Sequence, residues 1–151
     1  MSLEIELLFR LLVAALFGFV LGIEREYIGK PAGMRTYALV SLGSALFTLI
    51  SKFGFADTVS AAFDPSRVAA QIVSGIGFLG AGVIVLQGIK LRGVTTASGI
   101  WVSAAIGMAV GTGLYLIALT ATLVAVVLMA IMRKFDLEHK LRGGKGDNDS
   151  R

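Results

Sequence analysis

Residues 75–82 read Gly-Ile-Gly-Phe-Leu-Gly-Ala-Gly, or GIGFLGAG, which spells G-x-G-x-x-G and adds a fourth glycine. A dinucleotide-binding turn needs a strand before it, a helix opening at the glycines and an acidic residue about 20 positions on. Here the glycines lie inside Val68–Ile89, a 22-residue run without a charge, and no acidic residue follows before Asp136. The stretch therefore reads as the middle of an apolar helix, with no nucleotide bound. In lipid there is little hydrophobic force between helices, so small residues that admit a neighbouring backbone take its place.

The rest of the chain agrees with a lipid setting. Of 151 residues, 56% are hydrophobic and only 16% charged, with a mean hydropathy of +0.82. Ordinary soluble domains carry about 25% charged residues. Without cysteine there is no disulfide or thiolate site, and the single His139 has no second histidine with which to share a metal. The net charge of +4 does not indicate nucleic acid, because the basic residues flank apolar runs rather than building a basic face.

A bilayer core of about 30 Å takes roughly 20 apolar helical residues. The run Gly93–Met132 holds 40 residues without a charge, too many for one crossing, and Gly111-Thr112-Gly113 offers the hairpin that folds it back. The sequence thus predicts an all-α bundle of five transmembrane helices, near 3–23, 36–53, 67–87, 95–111 and 114–133. Residues 1–134 form the membrane domain. Residues 135–151 form a short charged tail, expected to be disordered. Asp64-Pro65-Ser66 supplies a start signal for the third helix. The acidic Met1–Glu6 stretch is unlike a secretory leader, so the first helix is expected to be retained.

Eleven Lys and Arg fall in the 24–35 loop, the 88–94 loop and the tail, whereas Lys52 and Arg67 fall on the other side and Arg10 within the first helix. The positive-inside rule then places the amino terminus outside and the carboxyl terminus in the cytoplasm. Five crossings permit this.

Small residues recur at helical spacing. The first helix has Ala14, Gly18 and Gly22. The third has Gly75, Gly77, Gly80 and Gly82, with Ala69, Ala70, Ser74 and Ala81. The fourth has an unbroken line of Gly99, Ser103, Gly107 and Gly111. All are expected to be seams for tight helix packing. The same glycines also suit a hinge or the wall of a narrow pathway.

Polar residues at membrane depth need partners. Arg10 lies one turn after Glu6, so an ion pair is available. Gln71 and Ser74 can bond to a neighbouring helix or line a polar cavity. At the cytoplasmic end, Glu24, Arg25 and Glu26 close the first helix. Arg35 and Thr36 open the second, and Thr95 and Thr96 open the fourth. These seven form a candidate polar cluster, in which Glu24 is expected to answer Arg35. Glu4, Glu6, Asp57 and Asp64 lie on the outer side without ligand spacing, so no metal, cofactor or catalytic set is read.

The motifs GIERE (22–26), GKPAGMRTYALVSLG (29–43), QIVSGIGFLGAGVI (71–84), RGVTTASGIWVSAAIGMAVG (92–111) and GLYLIALTAT (113–122) stand in this order. Together they resemble the MgtC/SapB family of bacterial inner-membrane proteins over about residues 7–132. The resemblance implies a five-helix bundle in the inner membrane. It also implies a part in magnesium homeostasis, stress and virulence, as a regulator of other membrane proteins rather than an enzyme. The family's recurrent polar positions fall on Glu24, Arg25, Gly33, Arg35, Thr36, Gln71, Thr95 and Thr96. Many such proteins carry a soluble domain after the last helix, where this chain has only the short tail.

The partners expected are the lipid bilayer and either further copies of the chain or other membrane proteins. A second reading is a small cation channel or carrier, with Gln71, Ser74, the backbone of 75–82 and Glu24 along its route. Against that reading, the third, fourth and fifth helices carry no charge at midplane, where coupled carriers place ionisable groups.

Overall fold

The computed structural model describes residues 2–55, 64 and 66–143; side chains are described as far as Ile131, Lys90 excepted. Asp57 and Pro65, and the side chains of His139 and the basic tail residues, lie outside that set. Helix α1 spans Leu3–Tyr27, α2 spans Met34–Leu49 and continues as a π-helical turn over Ile50–Gly54. Helix α3 spans Ser66–Val83. Strands β1 (Val85–Gln87) and β2 (Lys90–Arg92) follow, then α4 (Val94–Thr112) and α5 (Tyr115–Gly143).

Among the described residues five helices form, as the apolar runs imply. Four are long and apolar enough to cross a membrane: Leu3–Tyr27, Met34–Gly54, Ser66–Val83 and Val94–Thr112; the apolar part of α5 is Tyr115–Ile131. The helix ends follow local chemistry. Gly29 adopts φ +64°, and its amide bonds to the Glu26 carbonyl at 3.0 Å, ending α1 in the left-handed manner that glycine permits. Gly113, at φ +93°, does the same for α4, so the hairpin expected at 111–113 is formed. The Asp64 carboxylate accepts the Ser66 amide at 2.9 Å at the start of α3.

Two elements differ from the sequence reading. The third helix was expected to reach residue 87 but ends at Val83, and an antiparallel hairpin pairs Val85 with Arg92 and Gln87 with Lys90. The fold is the expected all-helical bundle, with one short β-hairpin added between α3 and α4. The reason is local: Val83-Ile84-Val85 is a β-branched run, and Gly88 supplies the positive φ (+62°) that a tight hairpin turn needs. The uncharged run simply continues through it. Helix α5 also runs on to Gly143, into the stretch read as an unstructured tail, since no breaker precedes Gly143-Gly144.

Packing is inverted relative to a soluble bundle. Small residues fill the interior, among them Ala14, Ala45, Ala104 and Ala118, each at most 3% exposed, whereas Leu8, Leu12, Phe47, Leu116 and Leu123 stand outward. Helix α2 is the axis, held between α1 and α4. A Cβ added at Gly18 would fall 2.8 Å from Ser41 Cβ and 2.9 Å from Ala38 Cα; one at Gly107 would fall 2.8 Å from the Ser41 carbonyl carbon. Gly22 abuts the backbone of Gly33 and Met34, Gly99 abuts Tyr37 and Met129, and Gly111 abuts Thr48 and Ala45. The Ser103 hydroxyl donates to the Tyr37 carbonyl at 2.8 Å along the same seam. Across α1, α2 and α4, the small residues do admit neighbouring backbones.

Helix α3 does not follow this pattern. It packs against α4, its buried residues are Ile72, Ile76 and Gly80, and only Gly80 of its four glycines has a described neighbour, the Ala97 Cβ of α4 at 3.6 Å from its added Cβ. At Gly75, Gly77 and Gly82 nothing described lies within 4 Å, so none of the three packs against a described residue. At 100° per residue they point away from the Ile72–Ile76–Gly80 face.

Candidate functional site

The end of the bundle where α1 closes and α2 and α4 open gathers part of the expected polar cluster. Arg25 is 4% exposed, and its Nε lies 2.9 Å from Glu24 Oε2. Adjacent helix residues diverge by 100°, so the pair forms only because both long side chains bend to one side. Its alignment is poor: neither carboxylate oxygen of Glu24 nor Nε of Arg25 makes a hydrogen bond of good geometry. The partner expected for Glu24 was Arg35. That pairing is corrected by the structure: Arg35 is exposed on the first turn of α2 and makes no ion pair among the described residues, while Arg25 is already beside the carboxylate.

Tyr37, overlooked in the sequence, completes this cluster. It is fully buried, lies within electrostatic reach of Arg25 and Glu24, and its hydroxyl donates to the Thr96 carbonyl at 3.2 Å. Thr96 is buried with it, but the neighbouring Thr95 is exposed. The signal was available: a tyrosine at membrane depth needs a partner for its hydroxyl.

Glu26 acts elsewhere. Its Oε2 accepts the Met34 amide at 2.9 Å, which satisfies the first turn of α2 in place of a side chain at the cap residue, Gly33. A Cβ on Gly33 would sit 3.0 Å from Glu26 Cβ, so glycine there makes room for the carboxylate. Glu26, Lys30, Arg35 and Thr36 line a polar hollow of about 440 Å³ outside the buried pair. The seven expected residues therefore divide. Glu24, Arg25 and Thr96 are drawn together inside, Glu26, Arg35 and Thr36 lie around the outer hollow, and Thr95 belongs to neither.

At the opposite end Arg10 is buried. It pairs with Glu6 one turn away, as expected, and its Nη1 donates to the Gly111 carbonyl at 2.8 Å. Gln71 and Ser74 do not bond a neighbouring helix. The Ser74 hydroxyl returns to the Ala70 carbonyl of its own helix at 3.2 Å, the i−4 bond open to any helical serine. Gln71 faces a groove between α2 and α3 and has no partner among the described residues. Among the described residues no three His, Cys, Asp or Glu side chains are grouped as a metal site would need.

The helices and the sequence comparisons agree on the class: this is a multi-pass membrane protein. The model of the MgtC family matches residues 11–137, and the chain belongs to that family. It is 43% identical over 132 residues to a protein of Escherichia coli K12 named putative magnesium transporter YhiD, covering 85% of this chain and 61% of that one. It is 45% identical over 124 residues to Protein MgtC of Salmonella typhimurium, covering 82% and 51%, and 45% identical over 120 residues to Protein MgtC of Brucella abortus, covering 80% and 48%. The chain thus spans about half to three fifths of the length of the curated relatives it matches. No solved structure matches it.

Proposed function

We propose that this chain is a non-enzymatic regulator in magnesium and ion homeostasis in a bacterial inner membrane, serving stress and virulence adaptation through helix contacts with other membrane proteins. Its amino terminus lies outside and its carboxyl terminus in the cytoplasm. The observation that carries the reading is the open stripe of α3. Ala70, Ser74, Gly77 and Ala81 share one side of the helix and are all exposed. Equivalent small-residue lines on α1 and α4 are each closed by α2. A backbone can approach this stripe as Ser41 approaches Gly107. The magnesium link comes from the name of the Escherichia coli relative.

A cation route is less well supported. The groove that reaches Gln71 is walled by Leu39, Val40, Phe47, Ile72 and Leu79, which offer a passing ion nothing to replace its water.

The test uses tagged protein from native membranes and the same protein in liposomes. A partner should be retained by the wild type and lost with Gly77→Leu, and the liposomes should move neither Mg²⁺, Na⁺ nor K⁺ above protein-free vesicles. Flux that Gln71→Leu abolishes would overturn the reading. Gly107→Leu is not a usable probe, because Ser41 already fills that space.

A further inference from the structure

The groove between α2 and α3 lies on a different side of α3 from the open stripe. Val40, Gly43 and Phe47 form one wall and Gln71, Gly75 and Leu79 the other, and its volume is about 510 Å³. Two glycines make it concave: at both Gly43 and Gly75 nothing described lies within 4 Å of an added Cβ. Among the described residues, the only polar side chains along it are Ser44, which is buried, and Gln71.

The size decides between occupants. A cavity of roughly 150 Å³ holds the six carbons of benzene, so 510 Å³ corresponds to roughly twenty carbons on the same scale. From Val68 to Leu79 the groove follows α3 for about 16 Å, and a helix about 10 Å across would need roughly 1,200 Å³ over that length. A partner helix would ride on the rim and leave the floor empty, whereas a single hydrocarbon chain fills it. The mouth is polar at one end only. Gln71 lies one turn inward of the exposed Arg67, near the start of α3. Its amide is a donor suited to an ester carbonyl, and Arg67 is suited to a phosphate.

We propose that the α2–α3 groove is a binding site for one acyl chain of a membrane phospholipid, with the glycerol ester at Gln71 and the phosphate toward Arg67. The lipid fills the space between α2 and α3, which touch each other far less than α2 touches α1 or α4. This site does not depend on the regulatory reading, which uses the stripe containing Gly77.

Native mass spectrometry of the chain released from detergent micelles tests it. The wild type should carry one phospholipid. In the double variant Gly43→Leu, Gly75→Leu occupancy should fall by about tenfold. Gly82→Leu, equally open but beyond the groove, should keep the lipid. Equal occupancy in all three, no lipid on the wild type, or a wild-type dimer that the double variant converts to monomer would each overturn the proposal; the last would make a second copy the occupant. Should the double variant fail to fold, Phe47→Trp in a Trp101→Phe background reads the groove directly, since Trp101 is the one tryptophan of the sequence. Quenching by brominated phospholipid should outlast transfer into unbrominated micelles. Release as fast as that seen with Leu116→Trp in the same background, at a position 77% exposed, would overturn it.

Discussion

Arg10 donates to the carbonyl of Gly111 at 2.8 Å across 101 residues of sequence, and the bond is buried. It ties an early turn of α1 to the last turn of α4, at a carbonyl that the helix leaves without an internal partner. A Cβ at Gly113 would fall 3.3 Å from the same guanidinium, so the cation lies against the turn into α5. A positive charge there also faces the negative end of the α4 dipole. Arg10→Leu should therefore destabilise the protein by about 1.5–3 kcal/mol, the range for a hydrogen bond to a charged group. Arg10→Lys should recover part of the loss, because an ammonium reaches one acceptor but lacks the fork. Reversible unfolding in mixed micelles measures both.

The seams of α2 make a second expectation. Gly107→Ala places a methyl group against the Ser41 backbone, where neither helix can yield without the other, and should cost about 1–3 kcal/mol. Gly82→Ala meets nothing described within 4 Å and should be nearly neutral in the same unfolding measurement.

The buried pair makes a third. Removing either Glu24 or Arg25 leaves the other charge inside without its partner, at a cost of about 3 kcal/mol. The double variant Glu24→Ala, Arg25→Ala should cost much less than the sum. Glu24→Ala and Arg35→Ala should instead add, since Arg35 stands outside the pair. Tyr37→Phe should cost about 0.5–1.5 kcal/mol through its bond to Thr96.

How much of this could be read beforehand depends on the range of each interaction. The Glu6–Arg10 pair and the Gly99–Gly111 line repeat at one helical turn, so the chain displays them directly. The Arg10–Gly111 bond joins distant segments and leaves no local trace. Glu24 had two candidate cations; Arg35 looked better because adjacent helix residues normally diverge. The glycines of 75–82 are indistinguishable by spacing from those of 99–111. Only the face that α3 buries, Ile72, Ile76 and Gly80, leaves Gly75, Gly77 and Gly82 open among the described residues. The hairpin at 85–92 was hidden because apolar strands and apolar helices look alike in an uncharged run.

Acid should loosen the start of α3. Hydrogen bonds from Ser66 hold the Asp64 carboxyl below its ordinary value of 3.8. A lowered folded pKa contributes stability above the unfolded value, and that contribution is lost as pH falls through the folded one. Amide exchange near Ser66 should therefore increase below about pH 4 in the wild type. In Asp64→Ala it should already be raised at neutral pH and show no further step.

Photo-crosslinking from within native membranes tests the central claim most directly, that the Ala70–Ser74–Gly77–Ala81 stripe is a docking face. With a photoreactive residue at Gly77, the chain should form a discrete adduct with another membrane protein or a second copy, while the same probe at Leu39 labels lipid alone. Lipid adducts alone at both positions would contradict it.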